Sequence, residues 1–250
     1  MRIGAQLYTV RDACQNLKDL DTTLAKVADI GYRYVQVSGT CDYEAAWLKE
    51  RLDHYGLTCV LTHIPPERLQ KQTQQVVTDH QILACRHIGL GCYWFRPEDL
   101  SGQLDEFENK YHGVAQTFQK NGFTFMYHNH GTEFLKFKNQ PVLLCLAERF
   151  AKEEMGFTLD TFWTQYGGAD SAYMIELLSG RVPCIHLKDM LFEKRMAPIG
   201  EGNIHFSRVF EAAEKAGTQY MLVEQDDCYG EDPFDCLARS YRYLKAQGFE

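Results

Sequence analysis

The chain has 250 residues, of which 45% are hydrophobic and 24% are charged, a composition that is ordinary for a globular α/β protein. Its net charge of −8 disfavours a nucleic acid partner, because an acidic surface repels the phosphate backbone. No run of about 18 apolar residues is present, which argues against a membrane span.

Helical and strand-like segments alternate along the chain. Four segments with apolar residues at helical spacing each lead into a glycine that suits the end of a helix, and they cover residues 21–30, 43–55, 113–121 and 207–216. Eight apolar runs predict strands, near residues 3–8, 33–38, 57–62, 87–93, 123–128, 156–160, 182–187 and 220–225. Asp232 and Pro233 are expected to begin a last helix that ends near Ala246.

Eight repeated strand–helix units predict an α/β fold, a single (β/α)8 TIM barrel that spans residues 1–250 as one domain. The alternative is a doubly wound open sheet, which is expected to carry a glycine-rich phosphate turn after an early strand. The first predicted strand is followed instead by Thr9-Val10-Arg11-Asp12, so the sequence favours the barrel.

Acidic and imidazole side chains lie at or just beyond the ends of the last four predicted strands, where the active sites of barrels form. In chain order they are Glu133 with His128 close by, Asp160, His186 and Glu224. Two of these residues could instead have a purely structural role. Asp160 could cap the next helix, and His186 could be a hydrogen-bonded core residue. Glu224 has little to do in a core, because an unpaired buried carboxylate is costly. Together, these oxygen and imidazole ligands predict a site for a divalent metal ion.

Spacing along the strands adds two further candidates. His128 and His130 are two residues apart, so on a strand they point the same way. Lys188 lies two residues beyond His186 and should share its inward direction. A lysine beside a metal could have a lowered pKa or bind an oxyanion, and the alternative is a lysine exposed to solvent.

Six motifs cover essentially the whole chain. They are Gln6-x-Tyr8-x-x-Arg11-Asp12, Tyr127-His-Asn-His-x-x-Glu133-Phe134, Thr158-Leu-Asp160-Thr-x-Trp163, Ile185-His-Leu-Lys-Asp189, Ile199-Gly-Glu-Gly-Asn203 and Val223-Glu-Gln-Asp226. Together they resemble the xylose isomerase-like barrel superfamily, which groups sugar isomerases and epimerases with the family 2 AP endonucleases such as endonuclease IV. The likeness is greatest to bacterial proteins commonly labelled sugar phosphate isomerase/epimerase.

The resemblance implies one divalent ion, Mn²⁺, Mg²⁺, Co²⁺ or Zn²⁺, held by a glutamate, an aspartate, a histidine and a second glutamate. Asp160, His186 and Glu224 match the last three of these positions. Where the epimerases have the first glutamate, this sequence has His128. Glu133 is then the expected carboxylate ligand, with His128 a ligand or a proton-transfer group.

Five residues are expected to contact the substrate, namely Gln6, Tyr8, Arg11, His63 and Trp163. Arg11 could equally pair with a nearby aspartate on the surface, and His63 could be structural. Trp163 stands where endonuclease IV and several epimerases have a histidine, and it is either a wall of the pocket or a packed aromatic residue.

The implied function is that of a metal-dependent sugar isomerase or epimerase, which removes a proton next to a carbonyl that the metal polarises. Glu224 is the first candidate for the base, with His128 as its partner and Lys188 as a further catalytic group. The His-Asn-His segment resembles that of inosose dehydratase-like members, so the alternative is a dehydratase or lyase acting on a keto-cyclitol or a 3-keto-glycoside. A nuclease like endonuclease IV is disfavoured by the acidic charge and by Trp163.

The expected partner is a small-molecule carbohydrate, with neither nucleic acid nor membrane. Dimers and tetramers are common among similar enzymes, so a homo-oligomer is possible. The nine cysteines are scattered and never spaced C-x-x-C, a pattern that is typical of reduced thiols and predicts a cytoplasmic protein.

Overall fold

Eight parallel strands close into a barrel in the computed structural model, which describes all 250 residues. In chain order they are β1 (Arg2–Gln6), β2 (Tyr34–Val37), β3 (Thr58–His63), β4 (His87–Leu90), β5 (Thr124–His128), β6 (Met155–Asp160), β7 (Cys184–Leu187) and β8 (Tyr220–Val223). Each strand pairs with the next one in the chain, and β1 pairs with β8 to close the barrel. The predicted TIM barrel is confirmed, and each predicted strand overlaps an observed one.

Helices follow the strands and pack around the barrel. They are α1 (Leu17–Ile30), α2 (Ala45–His54), α3 (Pro66–Lys71), α4 (Thr73–Leu83), α5 (Leu100–Lys120), α6 (Val142–Arg149), α7 (Thr161–Tyr166), α8 (Ser171–Leu177), α9 (Phe206–Ala216) and α10 (Pro233–Ala246). Two connections, from β3 to β4 and from β6 to β7, each hold two helices. None of the helices combines the length and the apolar character needed to cross a membrane.

The helix ends follow the chemistry expected from the sequence. The glycines expected to end helices all have positive φ angles, and they are Gly31, Gly56, Gly122 and Gly217. At Gly217 the φ angle of 79° closes α9 in the left-handed conformation that suits glycine. At the start of α10, the Asp232 side chain accepts a hydrogen bond from the Phe234 N–H, with Pro233 in the first turn.

A small apolar cluster fills the barrel separately from the main core between strands and helices, and it consists of Val60, Leu61, Met126, Cys184 and Leu222. Side chains alternate along a strand, so a residue two positions further on points the same way. His128 follows Met126 at this spacing, His186 follows Cys184, and Glu224 follows Leu222. The alternation therefore stacks a polar layer directly above the apolar one, at the C-terminal end of the barrel.

Candidate metal centre

Four buried side chains from consecutive strands meet in this polar layer, and they are His128, Asp160, His186 and Glu224. Each contributes one potential ligand atom, and these atoms all lie within 4.8 Å of one another. Ligand atoms that share an ion at about 2.0–2.6 Å fall within a similar span. The cluster therefore has the size and composition to hold a metal ion.

His128 is oriented by the backbone of the neighbouring strand connection. Its Nδ1–H donates a 2.8 Å hydrogen bond to the carbonyl oxygen of Gly91, which can only accept. The proton on Nδ1 leaves a lone pair on Nε2, which lies 3.2 Å from Oδ2 of Asp160. The imidazole thus presents a ligand atom to the centre of the cluster.

His186 is oriented in the same way by a side chain from the far side of the barrel. Its Nε2 lies 2.6 Å from Oε1 of Gln36, and both residues are completely buried. The amide oxygen accepts the Nε2 proton, so Nδ1 presents its lone pair, 2.8 Å from Oε2 of Glu224. His186 Nδ1 is buried without a hydrogen-bond partner, and Oε2 of Glu224 contacts the Lys188 ammonium at 2.8 Å. An unpaired buried acceptor is costly, and a cation between the two atoms would satisfy Nδ1.

The two carboxylate oxygens of Asp160 have different surroundings, one at a helix start and one at the cluster. Its Oδ1 accepts a 2.9 Å hydrogen bond from the Trp163 N–H and so caps α7. Its other oxygen, Oδ2, faces the cluster, 3.7 Å from Nδ1 of His186. The helix cap fixes the orientation of the carboxylate, so that Oδ2 is directed into the cluster.

Lys188 is buried among three carboxylates and points inward, the same way as His186. Its Nζ lies 2.8 Å from Glu224, 2.8 Å from Asp226 and 3.1 Å from Asp160. Burial alone would lower the pKa of Lys188, but the three carboxylates outweigh it and raise the pKa. The amine is therefore protonated, neither exposed to solvent nor available as a neutral base.

The charges in the cluster fit a divalent cation. Burial alone would raise the pKa of Glu224, but the Lys188 ammonium holds it well below its usual range. The pKa of Asp160 is also held low, with Lys188 opposing the effect of burial. Three carboxylates and one ammonium leave two net negative charges, which a divalent ion would neutralise.

Glu133 lies outside the cluster, although the sequence predicted it as a ligand. Its Oε1 accepts a 2.5 Å hydrogen bond from the hydroxyl of Tyr127, and its Oε2 accepts 3.0 Å bonds from the His130 N–H and the Thr132 hydroxyl. Tyr127 and His128 are adjacent on β5, so their side chains point to opposite faces of the strand. The carboxylate is therefore held on the outer face, and burial raises the pKa of Glu133 to about 7. His128 occupies the place in the cluster that was expected for Glu133.

A cavity of about 430 Å³ opens above the cluster. Six of the residues predicted for the site line it, namely Tyr8, His63, His128, Trp163, Lys188 and Glu224. Asp160 and His186 lie beneath them and are completely buried. Another cavity of about 490 Å³ contains Arg86 and Arg181 at the opposite end of the barrel and contains none of the predicted residues.

Gln6 and Arg11 do not reach the cavity, contrary to the expectation from their motif. Gln6 is buried, and its Oε1 accepts a 3.2 Å hydrogen bond from the Tyr8 N–H. Arg11 folds back, with its guanidinium 4.5 Å from the centre of the Tyr8 ring and its Nη1 donating to the Tyr8 carbonyl at 2.9 Å. A 3₁₀ helix, Leu7–Ala13, begins directly after β1; the Gln6 side chain caps its start, and Arg11 lies within it and is turned away from the cavity.

Three residues of the site were not among those predicted from the sequence. Gln36 had a signal in the sequence, because it is a polar residue inside the apolar strand β2. Asp226 also had a signal, because it lies two residues beyond Glu224 in a recognised motif. Trp94 lines the cavity as well, and its position depends on loop conformation, for which the sequence holds no comparable signal. His130, which was expected to point the same way as His128, also lines the cavity, with its ring centre 4.6 Å from that of Trp94.

Comparison with known proteins places this geometry in context. The family model described as xylose isomerase-like TIM barrel matches residues 24–247. No curated protein matches the sequence.

Several solved structures are similar over nearly the full chain. A sugar phosphate isomerase/epimerase from Parabacteroides distasonis ATCC 8503 has a TM-score of 0.84 at 20% identity, with 98% of this chain and 93% of that chain covered. An L-ribulose 3-epimerase has a TM-score of 0.77 at 17% identity, covering 98% and 93%. A probable 3-DHS dehydratase involved in petrobactin synthesis from Bacillus anthracis has a TM-score of 0.78 at 13% identity, covering 98% and 99%. At these identities, the similarities show a shared fold.

Proposed function

The chain belongs to the xylose isomerase-like TIM barrel family, and on that premise we propose that it is a metal-dependent sugar isomerase or epimerase. The observation that carries the proposal is the convergence of four ligand atoms within 4.8 Å of one another. These atoms lie at the floor of a cavity of about 430 Å³, a size suited to a small molecule. The fold shared with an L-ribulose 3-epimerase supports a carbohydrate as the substrate.

His128, Asp160, His186 and Glu224 are the proposed ligands of one divalent ion. Two imidazoles and two carboxylates suit Mn²⁺, Co²⁺ or Zn²⁺ better than Mg²⁺, which prefers oxygen ligands. When bound, the ion supplies Lewis-acid polarisation of a substrate carbonyl. Because His128 directs its free nitrogen into the cluster, we assign it as a ligand and not as a proton-transfer group.

Catalytic roles are assigned to Glu224 and Lys188, which face both the cluster and the cavity. Glu224 is the proposed base, which removes a proton from the carbon next to the substrate carbonyl. Lys188 stays protonated between its carboxylate neighbours and stabilises negative charge on a substrate oxygen. Asp226 holds the ammonium in place through a 2.8 Å hydrogen bond. Return of the proton to the opposite face gives an epimerase, and return to the neighbouring carbon gives an isomerase.

A dehydratase acting on a keto-cyclitol or a 3-keto-glycoside is the second candidate function. It would begin with the same removal of a proton and then expel a hydroxyl group. The observation that favours it is the buried ammonium of Lys188, which lines the cavity and can protonate a departing hydroxyl. The probable dehydratase of similar fold is consistent with this chemistry.

The metal content of the protein purified without chelator tests the proposal. We expect one Mn, Co, Zn or Mg ion per chain, and its loss in the Asp160→Ala/His186→Ala variant. The matched control is Asp53→Ala, which alters an exposed aspartate on α2. A wild-type protein that binds no divalent ion after supplementation would exclude the proposed centre.

The metal-loaded protein is then incubated with keto-sugars in deuterium oxide. Deuterium incorporation at the carbon next to the carbonyl is expected for an isomerase or epimerase. A product lighter by one water identifies the dehydratase. Metal-loaded protein that exchanges no proton of any keto-sugar or keto-cyclitol would contradict both functions.

A further inference from the structure

We propose that the substrate is an unphosphorylated, uncharged sugar that packs one apolar face against a wall formed by Trp94, His130 and Trp163. The inference rests on the proposed function, whose carbohydrate class it narrows.

The cavity offers no free positive charge to a phosphate group. Lys188 is the only lysine or arginine among the residues that line it. Its ammonium already contacts Asp160, Glu224 and Asp226 at 2.8–3.1 Å. A divalent ion in the cluster would bring the group to neutrality and leave nothing to offset a phosphate dianion. A phosphate ester would also meet the carboxylate of Asp226 at the cavity surface.

Nearby cations are engaged elsewhere. The guanidinium of Arg11 lies over the ring of Tyr8 and donates to its carbonyl. The short antiparallel strands Asp189–Met190 and Met196–Ala197 form a hairpin after β7. On this hairpin, Lys194 lies 4.7 Å from the centre of the Tyr166 ring, and Arg195 lies 4.0 Å from that of Tyr229. None of these three cations lines the cavity.

The backbone at the start of α3 is also poorly suited to an anion. Pro65 and Pro66 line the cavity at the point where α3 begins. Helix starts bind phosphates through free N–H groups, and proline has none. These two residues present an apolar surface instead, next to Ile64 and Leu90.

The aromatic wall supplies what a neutral sugar requires. The ring of His130 lies between two indoles, 4.6 Å from that of Trp94 and 5.2 Å from that of Trp163. The C–H face of a sugar ring can pack on such a surface as other apolar groups do.

Unpaired polar atoms on the wall and on His63, which also lines the cavity, match the hydroxyl groups of a sugar. His63 Nε2, His130 Nδ1 and Trp163 Nε1 are buried and have no hydrogen-bond partner. The indole nitrogen can only donate, whereas an imidazole can supply either a donor or an acceptor. A hydroxyl group both donates and accepts, so it can pair with each of these atoms.

Calorimetric titration of the metal-loaded protein with paired ligands tests this inference. The pairs are D-fructose with its 6-phosphate, L-ribulose with its 5-phosphate and D-xylulose with its 5-phosphate. We expect at least one free sugar to bind about tenfold more tightly than its ester or better. Equal or tighter binding of the esters, or no binding of any free sugar, would overturn the inference.

Deuterium incorporation in the same samples reports on the proposed function separately. Binding of a free sugar without exchange would contradict the isomerase and leave the substrate class supported. Exchange that occurs only with the esters would support the enzyme and overturn the substrate class.

Variants of the wall locate the binding surface. Trp94→Ala removes an indole that is 58% exposed, so the fold should tolerate it, and it should weaken free-sugar binding about tenfold. The matched control is Trp47→Phe on α2, which lies outside the cavity and should bind like the wild type. Wild-type affinity in the Trp94 variant would exclude the wall as the sugar platform.

Discussion

The imidazole of His186 in β7 donates a 2.6 Å hydrogen bond to the side-chain oxygen of Gln36 in β2, three strands away around the closed barrel. Neither side chain is exposed to solvent. The bond fixes which nitrogen of the imidazole carries the proton, and therefore which nitrogen faces Asp160 and Glu224. Gln36 thus positions a proposed ligand without touching the metal site itself.

Replacing Gln36 with leucine should weaken metal binding by about 10–100-fold, the usual effect of removing the partner of a metal-ligating histidine. Leucine has a similar size but accepts no hydrogen bond, so the imidazole loses its fixed orientation. Gln36→Glu keeps an acceptor and should restore the affinity. Competition against a fluorescent chelator gives both affinities. A leucine variant with wild-type affinity would show that the bond has no positioning role.

Replacing Lys188 with methionine should have opposite effects on stability and on metal affinity. Removing the ammonium leaves the buried carboxylates of Asp160 and Glu224 without their cation, so the metal-free protein should lose about 3–5 kcal/mol of unfolding free energy. Metal binding should become tighter, because a positive charge about 3 Å from the proposed ligand oxygens is gone. Catalytic turnover should be lost, because the ammonium that stabilises negative charge on the substrate oxygen is absent.

Chemical unfolding with and without metal measures both effects of the Lys188 substitution. Added metal should restore most of the lost stability. The control is Lys194→Met on the exposed hairpin, which should change neither quantity. Weaker metal binding in the Lys188 variant would mean that the lysine supports the ligands rather than competing for them.

Substitutions at His128 and Glu133 test which of the two residues is the fourth metal ligand. The structure favours His128, whereas the sequence favoured Glu133. His128→Ala should abolish stoichiometric metal binding, because it removes an atom of the cluster. Glu133→Gln should keep one ion per chain and lose about 1–3 kcal/mol of stability, since the hydrogen bonds of a buried carboxylate are weakened. Elemental analysis of both variants gives their metal content, and chemical unfolding gives their stability. Together, these measurements decide which residue is the ligand. Loss of metal in the Glu133 variant alone would restore the carboxylate as the ligand.

The sequence predicted the barrel well because its signals are local. Alternation along each strand and a glycine at each of several helix ends are properties of short segments. The same alternation places Asp160, His186 and Glu224 at one end of the barrel once the strands are parallel. Lys188 follows from His186 by the same two-residue spacing.

The remaining features of the site depend on geometry that short segments do not contain. Glu133 was expected to reach the metal, but the 3₁₀ turn after β5 carries it to the hydroxyl of Tyr127 on the outer face. Arg11 was expected in the pocket, and another 3₁₀ helix turns it away. The partnership of Gln36 with His186 crosses three strands, so only the closed barrel reveals it.

A buried histidine far from the metal cluster connects the outer layer of helices to the barrel. His80 in α4 lies 2.7 Å from the hydroxyl of Thr62 in β3 and 2.7 Å from the carbonyl of Val76. The carbonyl accepts the Nδ1 proton, so Nε2 accepts from the hydroxyl and the ring is neutral. Burial lowers the pKa of His80 from 6.5 to about 4, against the smaller opposing effect of the Val76 carbonyl.

Acid should therefore destabilise the fold partly through His80. The unfolded chain binds a proton at this residue more readily than the folded one, so its contribution to stability is complete above pH 6.5 and is lost as the pH falls towards about 4. Between about pH 7 and about pH 5, the loss from this residue should be about 2 kcal/mol. Glutamine does not titrate, so the unfolding free energy of the His80→Gln variant, measured in urea, should fall by about 2 kcal/mol less than that of the wild type over the same pH interval. The exposed His54→Gln serves as the control and should follow the wild type. Equal pH dependence in wild type and His80→Gln would show that His80 does not contribute to acid sensitivity.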